Sequence, residues 1–349
     1  MDFPVFLPWQ TVQASHWLGN RSRFAHAWLI HGQQGTGKRQ FARAAAASLL
    51  CEQPAHGLAC GRCPACQWLQ SGNHPDLRLI RPDAMALEEG DPAITQENEN
   101  ATTPKALSRD IRIEQIRTLS GWFTTATHRG GFRVAVIYPA QSMNTITANA
   151  LLKVLEEPPE HTVFLLVADA PDQLLPTIVS RCRLLATSFP APEQSLAWLN
   201  EKGVKQAADW LAVAGGAPLL AHERSLQDTQ PCPGWLEAIV QALGTPRFGQ
   251  LPELADAMEK EQPVYWIDML QRLMVDLMLA ASGVPVRYYM AHAERLERIA
   301  QGADPQALAD QARWLTRQRG IATHPLNAKV LVHTALQRLF LACVPQKNT

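Results

Sequence analysis

The first half of the chain alternates short apolar runs with segments of helical periodicity. The run AWLIH at residues 27–31 ends at a glycine, which is typical of a buried strand. Four later runs have the same character: Leu77–Ile80, Arg133–Tyr138, Thr162–Ala168 and Leu184–Thr187. Apolar residues with helical spacing separate them, most clearly over Ile111–Thr127 and Thr145–Glu157. The alternation predicts an α/β domain in which helices cover both faces of a parallel sheet.

The second half of the chain is predicted to be helical. It follows a proline-rich boundary, FPAP, at residues 189–192, and a glycine pair at Gly215-Gly216 interrupts its first part. A wide apolar stripe then indicates a helix packed in a core. The stripe comprises Trp266, Ile267, Leu270, Leu273, Met274 and Leu277. We therefore expect three domains, formed by residues 1–187, 188–226 and 227–349.

One stretch of the first half lacks any periodicity. Residues 81–110 are polar and contain prolines, with ITQENENATTP near the centre. This composition predicts a long solvated loop inserted in the α/β domain.

Charge and composition exclude some classes of function. Apolar residues make up 46% of the chain, and 32 basic residues balance 32 acidic ones. A net charge of zero argues against a protein that coats nucleic acid by bulk charge. No apolar run approaches the roughly 20 residues of a membrane span, and residues 1–10 do not resemble a signal peptide. We expect a soluble protein of the cytoplasm.

The first chemical motif is GQQGTGKR, which lies between the first predicted strand and a helix. Its residues Gly32, Gly35, Gly37 and Lys38 fit the phosphate-binding P-loop, in which backbone N–H groups wrap phosphates and the lysine neutralises their charge. The next position normally holds a serine or threonine that ligates Mg²⁺, but Arg39 stands there. The motif predicts a degenerate P-loop that no longer supports hydrolysis.

A second loss follows the strand Arg133–Tyr138. In a P-loop ATPase, the end of such a strand carries acids that hold Mg²⁺ and activate water. Here Tyr138 and Pro139 take those places, and neither binds metal or accepts a proton at neutral pH. The two losses together predict a chain without ATPase activity of its own.

Four cysteines with the spacing Cys51-x8-Cys60-x2-Cys63-x2-Cys66 predict a tetrahedral zinc site. Because four thiolates leave no open position, the role of the zinc should be structural. A zinc-dependent DNA-binding module is the alternative, although only one residue near the cysteines, Arg62, is basic. Two histidines, His56 and His74, are possible substitute ligands, but ordinary surface positions are the simpler interpretation.

A short motif, Ser180-Arg181-Cys182, precedes the last predicted strand. An arginine at the edge of the domain is able to reach a neighbouring molecule. Three residues are too short a motif to rely on, and a surface arginine in a local salt bridge is the simpler interpretation.

The longer context of that motif resembles a known family. The run NALLKVLEEPPEHTVFLLVADAPDQLLPTIVSRC, together with a P-loop domain interrupted by four cysteines, is similar to the bacterial DNA polymerase III clamp loaders of the AAA+ group. The resemblance extends over about residues 20–187. It implies an AAA+ core with a zinc-module insertion (1–187), a small helical lid (188–226) and a helical collar (227–349).

The resemblance also implies partners and a role. Clamp-loader subunits form a five-membered ring that opens the sliding β clamp and places it on primed DNA. Their ATP sites lie between subunits, so Arg181 would act in trans on the ATP of a neighbour. Active members carry a nucleotide-sensing arginine where this chain has Leu219. The resemblance thus favours a rigid, non-hydrolysing subunit, with an active gamma/tau-like ATPase as the alternative.

Overall fold

The structure is a computed structural model that describes residues 3–19, 24–91, 94–95, 107–123, 126–128, 130–245, 248–321 and 328–344. Two compact units divide the chain, Met1–Gln194 and Ser195–Thr349.

The first unit is built around a five-stranded sheet. Its strands are β1 (Ala27–His31), β2 (Leu77–Ile80), β3 (Arg133–Ile137), β4 (Thr162–Ala168) and β5 (Arg183–Ala186). All neighbouring pairs are parallel, in the order β2-β3-β4-β1-β5. In the centre of the sheet, Leu29 pairs with Leu166 on one side and with Leu184 on the other. The predicted parallel α/β sheet is confirmed.

Helices connect the strands of the first unit. They are α1 (Thr11–Leu18), α2 (Lys38–Leu50), α3 (Pro64–Gln70), α4 (Asp83–Glu88), α5 (Ile113–Phe123), α6 (Thr145–Glu156) and α7 (Pro176–Val179). Because side chains alternate along a strand, β3 contributes side chains to two different cores, one on each face of the sheet. Val134 and Val136 pack in the core that contains Phe41 of α2. Ala135 and Ile137 lie in the opposite core, which is covered by α5 and α6.

The polar segment from residue 81 is only in part the loop that was predicted. It begins with the helix α4, which was missed because the segment lacks apolar periodicity. Pro82 precedes the helix, Asp83 occupies its first turn, and Ala86 is buried. The helix is anchored by charges, since Arg112 forms a salt bridge of 2.7 Å with Asp83. Most of ITQENENATTP lies outside the described residues.

The second unit is helical. Its helices, together with the one that leads into it, are α8 (Pro192–Glu201), α9 (Ala207–Val213), α10 (Pro218–Gln227), α11 (Gly234–Leu243), α12 (Leu251–Met258), α13 (Pro263–Ala281), α14 (Ala293–Gly302), α15 (Pro305–Ile321) and α16 (Ala328–Cys343). All six residues of the predicted stripe on α13 are buried in one core. The predicted boundary between residues 226 and 227 stays a prediction. Within the described ranges, no helix is long and apolar enough to cross a membrane.

Candidate functional site

The four predicted cysteines meet in one cluster. Cys51 directly follows α2, Cys63 precedes α3, and Cys66 lies within that helix. Their sulfur atoms all lie within 4.8 Å of one another, with 3.9 Å between Cys51 and Cys63 and 4.0 Å between Cys60 and Cys66. Zinc–sulfur bonds of about 2.3 Å in a tetrahedron separate the sulfur atoms by about 3.8 Å. The cluster therefore has the dimensions to hold a metal ion.

Backbone groups support the sulfur atoms. The N–H of Cys60 donates to the Sγ of Cys51 (3.2 Å), and the N–H of Cys63 donates to the Sγ of Cys60 (3.4 Å). Hydrogen bonds from the backbone of Arg62 and Cys63 lower the pKa of Cys60 to about 6. Burial raises the pKa of Cys51 and Cys66. A bound cation would offset that cost of burial, because it stabilises thiolates.

The two candidate histidines are not part of this cluster. His56 is exposed, as expected. The expectation of a surface position for His74 is wrong, because the ring is buried and its Nδ1 accepts a hydrogen bond from the N–H of Asp76 (3.1 Å). Burial lowers the pKa of His74. The packing of this ring against Trp68, which lies on α3, was not predictable from the spacing of the cysteines.

The P-loop has the backbone that its glycines predict. Gly35 and Gly37 have φ angles of 78° and 93°, in the left-handed region that favours glycine. Gly32 is required by space as well, because a Cβ there would lie 2.7 Å from the Oγ1 of Thr187. Lys38 then opens α2, so the strand–loop–helix arrangement is the predicted one.

The positive charge of Lys38 is compensated by a carboxylate of the same chain. Its side chain is only 3% exposed, and Nζ lies 2.6 Å from Oδ1 of Asp169. The same Nζ donates to the carbonyl oxygen of Gln33 (2.6 Å). Asp169 directly follows β4 and thus lies at the end of a central strand of the sheet. A carboxylate of the chain therefore supplies the negative charge that a phosphate supplies to a P-loop lysine.

The N-terminal segment covers the loop from another side. The Nε1 of Trp9 donates to the carbonyl oxygen of Thr36 (3.0 Å), and the Nε2 of Gln10 donates to that of Gly37 (2.9 Å). Both side chains are buried. Sequence reasoning missed Trp9, Gln10 and Asp169, since each is distant from the motif and belongs to no motif of its own.

The two positions that lost their metal ligands are joined through a third residue. Arg39 Nη1 lies 3.0 Å from Oε1 of Glu89, and the hydroxyl of Tyr138 donates to Oε2 of the same carboxylate (2.7 Å). Burial raises the pKa of Tyr138, so the phenol stays protonated. Pro139 follows at the end of β3 and has no metal-binding group. Leu219, the third predicted loss, lies half-buried in the first turn of α10.

Arg181 follows α7 and has partners within the chain. Its Nη1 donates to the carbonyl oxygen of Thr177 (2.9 Å), and its Nη2 forms an ion pair with Glu156 at the end of α6. The side chain is 34% exposed and borders an open concavity of about 460 Å³. Cys182 packs against the core, where burial raises its pKa to about 11. Thus the local ion pair forms, while the guanidinium still faces solvent.

Comparison with known proteins places these features in a family. A family model described as DNA polymerase III, delta subunit, matches residues 11–190. The chain is 41% identical over 219 residues to DNA polymerase III subunit delta' of Pseudomonas aeruginosa, a match that spans 62% of this chain and 60% of that protein. Subunit delta' of Yersinia pestis is 31% identical over 281 residues, a match that spans 75% of this chain and 74% of that protein. Subunit tau of Escherichia coli is 35% identical over 160 residues, a match that spans 46% of this chain and 21% of that protein.

Proposed function

The chain belongs to the family described as DNA polymerase III, delta subunit, and we propose that it serves as a delta-prime-like subunit of the DNA polymerase III clamp loader. In this role it is a fixed, non-hydrolysing member, a stator, that helps to load the β sliding clamp onto primed DNA. The observation that carries the proposal is the pairing of the P-loop Lys38 with Asp169. A lysine already paired inside the chain suits a subunit that works without ATP of its own.

The proposed partners are the other members of a five-subunit ring, of the gamma/tau and delta kinds. Support comes from the relatives, which are named delta' and tau. We propose an AAA+ core in residues 1–187, a lid in residues 188–226 and a collar in residues 227–349 through which the ring assembles. The β clamp and the primed DNA are contacted indirectly, through the ring.

The absence of hydrolysis follows from the chemistry of the site. Phosphoryl transfer depends on positioning and on charge stabilisation around Mg²⁺. Arg39 brings a positive charge to the place of a metal ligand, and Tyr138 offers a buried phenol already bonded to Glu89. The alternative, an active gamma/tau-like ATPase, would need a metal ligand at both positions.

Arg181 gives this subunit a part in the hydrolysis of ATP bound by a neighbour. A guanidinium has five N–H donors and remains charged at physiological pH. The bonds to Thr177 and Glu156 use only some of these donors. The remaining donors suit a phosphate on a neighbouring subunit, where a planar fork can contact two oxygen atoms at once.

The cysteine cluster is proposed to hold one structural Zn²⁺. Cys51, Cys60, Cys63 and Cys66 would be its ligands, and the chemistry that zinc supplies there is the cross-linking of thiolates. The site connects the end of α2 to the start of α3. It staples the insertion between α2 and β2 and takes no part in phosphoryl transfer.

We predict that the isolated chain hydrolyses ATP no faster than a protein-free blank. Without metal ligands, Lys38 and the loop can at best hold a phosphate. A phosphate-release assay with Mg²⁺ and ATP measures this rate, with Lys38→Ala as the control. A rate well above the blank that Lys38→Ala abolishes would contradict the proposal.

We predict one tightly bound zinc per chain, measured by elemental analysis of protein purified without chelators. Cys60→Ala should lose the metal and lower the melting temperature, because metal binding at such sites is also folding free energy. Cys232→Ala, which changes a half-buried cysteine outside the cluster, is the matched control and should keep the metal. The zinc assignment fails if the unaltered chain contains no zinc.

We predict that Arg181→Ala leaves folding and ring assembly intact and slows DNA-stimulated hydrolysis of ATP and clamp loading by the reconstituted ring. A trans-acting arginine contributes a factor on the order of 10³–10⁵ at the site it serves. Arg181→Lys should slow hydrolysis almost as much as Arg181→Ala does, since an ammonium lacks the planar fork. Arg183→Ala, which changes an exposed arginine on β5, is the matched control. Unchanged hydrolysis with Arg181→Ala would leave the arginine with only its local ion pair.

A further inference from the structure

The structure assigns a role to Glu89 that no motif indicates. We propose that its carboxylate is an internal cross-link that holds the P-loop helix to the ends of β2 and β3 in the absence of any bound nucleotide. In an active P-loop site, the metal and its nucleotide join the P-loop helix to the strand that carries the acids, which here is β3. The inference concerns the architecture of the isolated chain and does not depend on the role in a ring.

Four side chains converge on this carboxylate. From α2, Arg39 and Arg43 approach to 3.0 Å and 3.6 Å. Arg81, which directly follows β2, lies 3.2 Å away, and Tyr138, which follows β3, donates its hydroxyl at 2.7 Å. Glu89 itself follows α4. One residue therefore connects α2 and the end of β3 to the segment that contains β2 and α4.

Burial separates this cluster from an ordinary surface ion pair. The side chains of Glu89 and Arg81 are only 10% and 3% exposed, and Tyr138 is 1% exposed. Exposed ion pairs contribute little to stability, but removal of one partner from a buried network leaves the remaining charges less well compensated. Without Glu89, the buried Arg81 would keep Asp91, 2.9 Å away, as a partner. The guanidinium of Arg81 also lies 5.9 Å from the centroid of the Tyr138 ring, within the range of a cation–π contact. Glu89, Arg81 and Tyr138 thus form a buried centre, which Arg39 (42% exposed) and Arg43 (24% exposed) contact from the surface.

The cross-link also explains why the two losses occur together. Arg39 stands where a P-loop ATPase has its metal-binding hydroxyl, and Tyr138 follows the strand that carries the acids. Each replacement contacts Glu89, so both serve one carboxylate. A serine at position 39 carries no charge and could not form this ion pair. The two replacements are therefore parts of one arrangement, in which the side chains of Arg39, Tyr138 and Glu89 join α2 to the end of β3.

The arrangement has a mechanical consequence. In a nucleotide-dependent site, the ends of the strands and the start of the helix move as phosphate and metal come and go. Here the groups that form the joint are side chains of the protein itself, so they cannot dissociate from it as a nucleotide does. The relative positions of α2, β2 and β3 should therefore be the same with and without Mg-ATP.

The test compares Glu89→Gln with Glu88→Gln in the full-length chain. Glu88 is the preceding residue, lies exposed in α4 and receives the same substitution. We expect Glu89→Gln to lower the melting temperature by roughly 5 °C or more, and Glu88→Gln to change it by about 1 °C or less. Hydrogen exchange should speed up in the first turns of α2 and at the amide of Tyr138, which donates to Ile80 across β2 and β3. Equal behaviour of the two variants would overturn the proposal.

Tyr138→Phe provides a milder test in case Glu89→Gln does not fold. It removes one hydroxyl and keeps the ring, so it should lower the melting temperature by a few degrees in a chain that retains Glu89. In a Glu89→Gln background, the same change should have little effect, because residues in one network are not additive. An unchanged melting temperature for Tyr138→Phe in the original chain would also overturn the proposal. Hydrolysis of ATP by the unaltered chain in the phosphate-release assay would instead count against the non-hydrolysing role and leave the Glu89 comparison valid.

Discussion

A buried lysine needs a negative charge beside it, and this requirement governs the nucleotide site of this chain. In a P-loop ATPase the phosphates of the nucleotide supply that charge. Here Lys38 is enclosed by the P-loop backbone and paired with Asp169, so its charge is compensated with no ligand present. The rest of the site follows the same rule, since the buried Arg81 and the phenol of Tyr138 both have Glu89 as their partner.

When side chains of the protein compensate the charges of its nucleotide site, the domain can have a structural role without a bound nucleotide. The parallel sheet fixes the ends of β1, β3 and β4, and these ends carry the P-loop, Tyr138 and Asp169. The same fold presents Arg181 at the surface, held by Thr177 and Glu156. A subunit of this design would contribute an arginine to a neighbour while its own geometry stays constant. Under the proposed function, rigidity and the loss of catalysis would be two results of one change in charge distribution.

The sequence was sufficient for the strands and the motifs, because both depend on local pattern. Strand positions, the P-loop and the cysteine cluster were predicted from apolar runs, glycines and spacing, and the structure places them as expected. The internal partners were not predictable in the same way. Glu89 and Asp169 acquire their roles only when the fold brings them to Arg39 and Lys38. For the same reason, the short helix α4 was missed, since it has no apolar stripe and its Asp83 meets Arg112 only in the folded chain.

The central claim is that this chain contributes structure, and not a working ATP site, to the assembly. The most direct measurement is the number of ATP molecules bound and the rate of hydrolysis in a reconstituted ring that contains Lys38→Ala in this subunit alone. The account predicts the same stoichiometry and the same DNA-stimulated rate as the unaltered ring, because the ammonium of Lys38 already has Asp169 as its partner. Loss of one bound ATP per ring, together with a slower rate, would contradict it.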